Sequence, residues 1–239
     1  MKQIIFDSNN DLQQKKEIVD DENYFTNLVA QKYLNKEIVI TPMFAVPLLH
    51  IKMSNWEVKK HELLELFETS KKWLINRDTV NTTYELNHHR ESKTEKENLE
   101  RSDWDKKFFK SIDDIFYEER KIIYETFGNP EEFPNENAKI QYAWFQEQKK
   151  GMFHGPHTHG CAPGRLGSVC FIEFDENIHT PTEFVSSFTS NLNSNSDNIH
   201  VEKNVSSGSL IVFPSNTLHY TLPNKSEKSR IILSLNITV

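Results

Sequence analysis

The chain has 239 residues with 28 basic and 35 acidic side chains, and a formal charge of −7 that argues against a nucleic-acid surface. Two cysteines, Cys161 and Cys170, cannot build a disulfide framework, and no apolar run has the length of a signal peptide or a membrane span. A cytoplasmic protein free of membrane is therefore expected, with 16 Phe, 7 Tyr and 4 Trp supplying the core volume that a 36% hydrophobic content leaves short.

In chain order, IVITPMFAVPLLHIKM (residues 38–53) reads as strand material interrupted by two prolines, hence an edge strand. Leu63, Leu66, Phe67, Ser70, Trp73 and Leu74 recur at helical spacing and predict a helix of about five turns. Residues 76–103 are polar and unpatterned, which predicts an extended loop in which His88, His89 and Arg90 are solvated. Trp104, Phe108, Ile112, Ile115, Phe116, Ile122 and Ile123 then predict one longer helix, ended by Gly128-Asn129-Pro130.

Beyond residue 138 the pattern changes. KIQYAWFQEQ, SVCFIEFD, TEFVSSF, NIHVEKN, GSLIVFP, TLHYTL and SRIILSLNITV are short, β-branched and aromatic, with turn residues between them and no helical segment. This predicts a mainly β fold with N-terminal helices: a double-stranded β-helix, the jelly-roll or cupin-like barrel. We read residues 1–239 as a single domain, with a helical support region over about 1–137 and the barrel over about 138–239. The Asn/Ser-rich stretch 190–198 is a loop within the barrel.

Residues 151–160, GMFHGPHTHG, place His154, His157 and His159 close together. His157 and His159 are two residues apart, so on a strand both point to one face. A metal site needs a third ligand from another strand, and a jelly roll sets its second and seventh strands side by side. His219, in the late segment TLHYTL, fills that position. The Gly155-Pro156 step should break strand geometry, so His154 is expected to border the site rather than ligate. On the last segment Arg230, Ile232, Ser234 and Asn236 share one face, opposite the aliphatic Ile231, Leu233, Leu235 and Ile237. A guanidinium turned into a barrel requires an anion, and its geometry suits a carboxylate. A metal and an anion clamp in one cavity suit a small dicarboxylic acid held at both ends.

The segments WFQEQKKGMFHGPHTHG and GSLIVFPSNTLHYTLPNKSEKSRIILSLNI resemble the iron(II)/2-oxoglutarate-dependent oxygenases, and among them the phage-type members with an H-x-H motif. The resemblance covers roughly residues 138–239. It implies Fe(II) bound by His157, His159 and His219, with Arg230 gripping the far carboxylate of the cosubstrate 2-oxoglutarate. Gln146, which alternates onto the same face as Trp144, becomes an amide donor to that cosubstrate. The implied activity is a dioxygenase, specifically a hydroxylase, that uses dioxygen and converts 2-oxoglutarate to succinate and carbon dioxide while oxidising a second substrate. One departure is notable: the family's usual H-x-[D/E] carboxylate is a histidine here, so the usual two-histidine, one-carboxylate set becomes three neutral imidazoles.

Two other readings share the jelly roll. A cupin-type enzyme with three histidines matches Gly151-x5-His157-x-His159 and Gly208-x5-Pro214-x4-His219, but residues 160–165 lack that motif's glutamate and Arg230 is then unexplained. A non-catalytic structural or binding protein would use the histidines for stability alone. The substrate is expected to be a peptide side chain or a small polar molecule, bordered by residues 76–103, 161–167 and 190–198 at the cavity mouth.

Overall fold

The structure, a computed structural model, describes residues 4–6, 38–40, 46–76, 79–83, 95–129, 137–160, 162–185 and 199–239. Two compact units divide the chain, Met1–Ala45 and Val46–Val239. In the first, β1 (Ile4–Phe6) pairs antiparallel with β2 (Ile38–Ile40), Ile5 opposite Val39.

In the second unit, eight strands build a jelly roll. They are β6 (Lys139–Gln148), β7 (His154–His157), β8 (Arg165–Glu173), β9 (Glu183–Val185), β10 (Ile199–Val201), β11 (Ser209–Pro214), β12 (Leu218–Thr221) and β13 (Arg230–Thr238). Short preceding strands are β3 (Leu49–Lys52), β4 (Ile75–Asn76) and β5 (Asn81–Thr82). The larger sheet runs β3-β11-β8-β13-β6-β5-β4 and the smaller β10-β9-β12-β7, with every pairing antiparallel. All seven strand segments expected after residue 138 are present. The proline-interrupted segment yields β3 at the edge of the larger sheet, where proline neighbours cost no ladder.

Period-two patterning divides the larger sheet into two environments. Ala143, Phe145, Cys170, Ile172, Leu210, Val212, Ile231, Leu233, Leu235 and Ile237 face outward into one core. Helices α1 (Trp56–Ser70), α2 (Glu95–Ile115) and α3 (Tyr117–Phe127) close this core through Leu63, Phe67, Phe108, Ile112, Phe116 and Ile123. Phe67 and Phe108 approach Phe145 at ring-centre distances of 5.4 and 5.9 Å. The opposite face contributes Val169, Phe171, Ile211, Phe213 and Ile232 to a second core inside the barrel, joined by Phe174, Phe184 and Val205.

Two helical expectations and one loop expectation are corrected. The first helix ends at Ser70; Lys71–Trp73 tighten into a 3-10 turn and Leu74 is extended. The second is two helices, because Phe116 (φ −96°, ψ 14°) leaves the helical conformation. That bend lets Ile112 and Ile123 both reach the sheet, while Ile122 turns to solvent. Residues 76–103 are not one loop: they hold the β4–β5 hairpin, which extends the larger sheet beside β6, and the start of α2. His88, His89, Arg90 and residues 190–198 lie outside the described residues. No described helix is long and apolar enough to cross a membrane.

Candidate metal and cosubstrate site

The smaller sheet creates the histidine cluster. β7 and β12 pair so that His157 lies opposite His219, which places the two rings 4.2 Å apart between centres. The strand assignment around His157 differs from expectation. Gly155 and Pro156 lie within β7, whereas His159 lies beyond its end. β7 is an edge strand, where a missing N–H need cost no ladder bond. His159 returns to the cluster because its N–H donates to Ser215 O at 2.7 Å. One ring nitrogen from each of His157, His159 and His219 lies within 4.8 Å of the others. His154 borders the group, its ring centre 4.0 Å from that of His157, with its backbone N–H bonded to Thr221 Oγ1 at 2.9 Å.

Each of the three rings has an oxygen facing its Nδ1: Gly155 O at 2.9 Å from His157, Asn236 Oδ1 at 2.6 Å from His159, and Thr217 O at 2.9 Å from His219. Two of these are carbonyl oxygens of the backbone and the third is an amide oxygen, and such oxygens only accept. The ring protons therefore sit on Nδ1, and the Nε2 lone pairs are left bare. His157 Nε2 and His159 Nε2 are 3.4 Å apart with no proton to share. Converging lone pairs of this kind are satisfied by a metal cation, and outward Nδ1–H bonds are the usual support of metal-ligating histidine. Burial moves the pKa of all three below the ordinary imidazole value. His159 falls to about 4 and His219 to about 3, with the neighbouring His157 adding to the effect of burial on both. All three imidazoles are neutral at pH 7.

The larger sheet supplies the second half of the site. Arg230, Ile232, Ser234 and Asn236 share the inner face of β13, opposite Gln148, Gln146, Trp144 and Tyr142 of β6 respectively. Arg230 is 2% exposed. It donates from Nη1 to Gln148 Oε1 at 2.6 Å and from Nη2 to Thr182 Oγ1 at 3.4 Å, and its guanidinium lies 5.3 Å from the Phe171 ring centre. Both hydrogen-bond partners are neutral. Among the described residues no carboxylate forms an ion pair with Arg230; Glu173, an obvious candidate, pairs with Lys60 at 3.1 Å. Burial lowers the arginine pKa to about 9, which still leaves it charged at pH 7. Its Nε, like Gln146 Oε1, is buried with no hydrogen-bond partner among the described residues. An unpaired buried cation and orphaned polar atoms are costly unless a ligand completes them. The guanidinium suits an anionic cosubstrate, and the histidines suit a metal.

The structure thus brings together His157, His159 and His219, and sets Arg230 and Gln146 on one inner face. Sequence reasoning missed the residues that support them. Gln148 continues the Trp144-Gln146 alternation by one step, and its Nε2 also donates to Thr221 Oγ1 at 2.6 Å. Thr182 carried no local signal, because its role comes from a contact with Arg230, 48 positions away in sequence. Residues 165–167, expected in a loop at the cavity mouth, instead open β8.

Residues 142–236 match the family model described as "Putative 2OG-Fe(II) oxygenase". Among solved structures, HygX from Streptomyces hygroscopicus, with nickel, 2-oxoglutarate and hygromycin B bound, aligns with a TM-score of 0.51 and 10% identity over 81% of this chain and 83% of that one. A Pseudomonas putida prolyl-4-hydroxylase aligns with a TM-score of 0.48 and 12% identity, over 81% and 93% of the respective chains. No curated protein matches the sequence. The HygX likeness shows the double-stranded β-helix fold. The family match over residues 142–236 supports the 2OG-Fe(II) oxygenase superfamily, whose cofactors are Fe(II) and 2-oxoglutarate.

Proposed function

We propose that this oxygenase is a hydroxylase in which His157, His159 and His219 hold Fe(II) through Nε2 and Arg230 binds the distal carboxylate of 2-oxoglutarate. The observation that carries this reading is a fully buried arginine, without an acidic partner among the described residues, in a barrel that also gathers three bare imidazole nitrogens. When bound, iron and cosubstrate supply the oxidation, consuming dioxygen and converting 2-oxoglutarate to succinate and carbon dioxide as the substrate is oxidised.

The chain's own residues bind, orient and exclude water. Gln148 holds one arm of the guanidinium, so that its other donors keep a fixed direction. Phe171, Phe174, Phe184 and Phe213 line the interior and lower its polarity, which strengthens every charge contact made there. Gln146 offers its amide to the cosubstrate. HygX, with metal, 2-oxoglutarate and hygromycin B bound together, supports a small polar molecule as one substrate class for this fold; a peptide side chain is the other class proposed. A cytoplasmic setting is part of the proposal, on the scarcity of cysteine. So is the single-domain reading, which the core shared by helices and barrel supports over residues 46–239.

The test is succinate formation from 2-oxoglutarate by Fe(II)-loaded protein, with and without dioxygen, across panels of peptides and small polar metabolites. Oxygen-dependent succinate with a hydroxylated product supports the reading. A three-histidine dioxygenase of the cupin kind would consume oxygen without making succinate, and a binding protein would do neither.

A further inference from the structure

His159 stands where the superfamily's usual ligand pattern has a carboxylate, and an imidazole is both larger and able to exist in two neutral tautomers. A ring at that position ligates through Nε2 only if it has room and if its proton is kept off Nε2. The opposite sheet addresses both needs. Asn236 on β13 is the register partner of Gly167 on β8, and Gly167 is in turn the partner of Phe213 on β11. A Cβ at Gly167 would lie 2.7 Å from the Phe213 ring and 3.1 Å from His159 Nδ1, so a side chain there would displace Phe213 and crowd the imidazole. Across that space Asn236 Oδ1 accepts from His159 Nδ1 at 2.6 Å. The stack is closed by Trp144 and Phe213, with ring centres 5.4 and 6.2 Å from His159.

We infer that Asn236 is a positioning residue which, with Gly167, seats His159 and selects Nε2 as its metal-binding nitrogen. This inference rests on the metal-site reading given above. His157 and His219 take their Nδ1 acceptors from backbone carbonyls within two residues of themselves, so their tautomers are fixed by local chain geometry. His159 alone of the three depends on a side chain 77 positions away. Because Asn236 is uncharged, it fixes the proton without drawing it off the ring, and the three-imidazole set stays neutral. A neighbour unable to accept would remove the tautomer's support, and a proton on Nε2 would face His157 Nε2 instead of a metal.

Nuclear magnetic resonance of ¹⁵N-histidine-labelled, metal-free protein reads the tautomer directly, and anaerobic calorimetry with Fe(II) reads its consequence. In the parent, His159 is expected as the Nδ1–H form. Asn236→Leu should shift it toward Nε2–H and weaken Fe(II) binding by about 10- to 100-fold, the usual effect of losing an outer partner. Asn236→Asp, which still accepts, should keep Nδ1–H and bind Fe(II) at least as tightly as the leucine variant's parent. A leucine variant with parental tautomer and parental affinity would overturn the inference, as would an aspartate variant that loses the Nδ1–H form. His157→Ala separates this failure from the larger one. If that variant binds Fe(II) as the parent does, the metal-site reading itself is wrong and the inference falls with it.

Discussion

The histidine cluster and the arginine pocket meet the same barrel interior with opposite deficits. Every outward nitrogen of His157, His159 and His219 has an oxygen partner, and only the inward Nε2 atoms are bare. Around Arg230 the hydrogen bonds run to neutral groups, Gln148 and Thr182, and the positive charge has no anion among the described residues. One region lacks a cation and the other an anion. A chelating dianion such as 2-oxoglutarate can bind a metal at one end and meet a guanidinium at the other. That is why neither half makes physical sense as a stability device alone: a barrel stabilised by burial would fill these positions with aliphatic side chains, as its outer face does at Leu233 and Leu235.

Breaking the cationic deficit should have the largest effect. His157→Ala or His219→Ala removes a ligand and should abolish one-to-one Fe(II) binding, a greater loss than the about 10- to 100-fold cost of an outer-partner change. Far-ultraviolet circular dichroism should stay parental, since the cluster lies beside rather than within the two apolar cores. Next comes the anionic deficit. Arg230→Ala should spare iron and weaken 2-oxoglutarate by about 30- to 150-fold, the equivalent of about 2–3 kcal/mol for a charge-assisted contact. Arg230→Lys should recover part of this, having the charge but not the planar fork.

A pH series sharpens the comparison further. The folded-state pKa values of His159 and His219, about 4 and about 3, lie below the ordinary 6.5. Between those limits the unfolded chain binds protons that the folded chain refuses. The metal-free protein should therefore hold its full stability above pH 6.5 and lose it as pH falls toward 4, by up to about 1.4 kcal/mol per pH unit for each buried histidine. Arg230 stays charged throughout this window and contributes no slope. Urea unfolding at stepped pH measures this, and His219→Ala should flatten the curve. The smallest effect is expected for Gln146→Leu, which removes the amide N–H proposed to donate to the cosubstrate: about a five-fold loss of 2-oxoglutarate affinity, of the order of one hydrogen bond.

What the sequence made legible followed from periodicity. The alternation along β13 separated Arg230 and Asn236 from Leu233 and Leu235, and the same rule applied to β6 placed Trp144 and Gln146 inside. The grouping of His157, His159 and His219 was legible because two strands of a jelly roll are adjacent whatever their loops contain. Details set by tertiary contact were not. His159 was expected on the strand of His157, but it reaches the cluster from beyond the end of β7, through a backbone bond to Ser215. The helix break at Phe116 was hidden because its apolar spacing continues across the bend. Gln148 escaped notice although it follows Gln146 at the same period, since a glutamine has meaning only once its arginine partner is seen.

The central claim is that the histidines and the arginine serve one ligand set. Anaerobic addition of 2-oxoglutarate to the Fe(II)-loaded parent, followed by the weak visible charge-transfer absorption of an iron-chelated keto acid, tests it most directly. The account predicts a band that saturates at one 2-oxoglutarate per iron in the parent, needs much more 2-oxoglutarate in Arg230→Ala, and is missing in His219→Ala. Iron bound by the parent with no such band, even with 2-oxoglutarate in large excess, would contradict it.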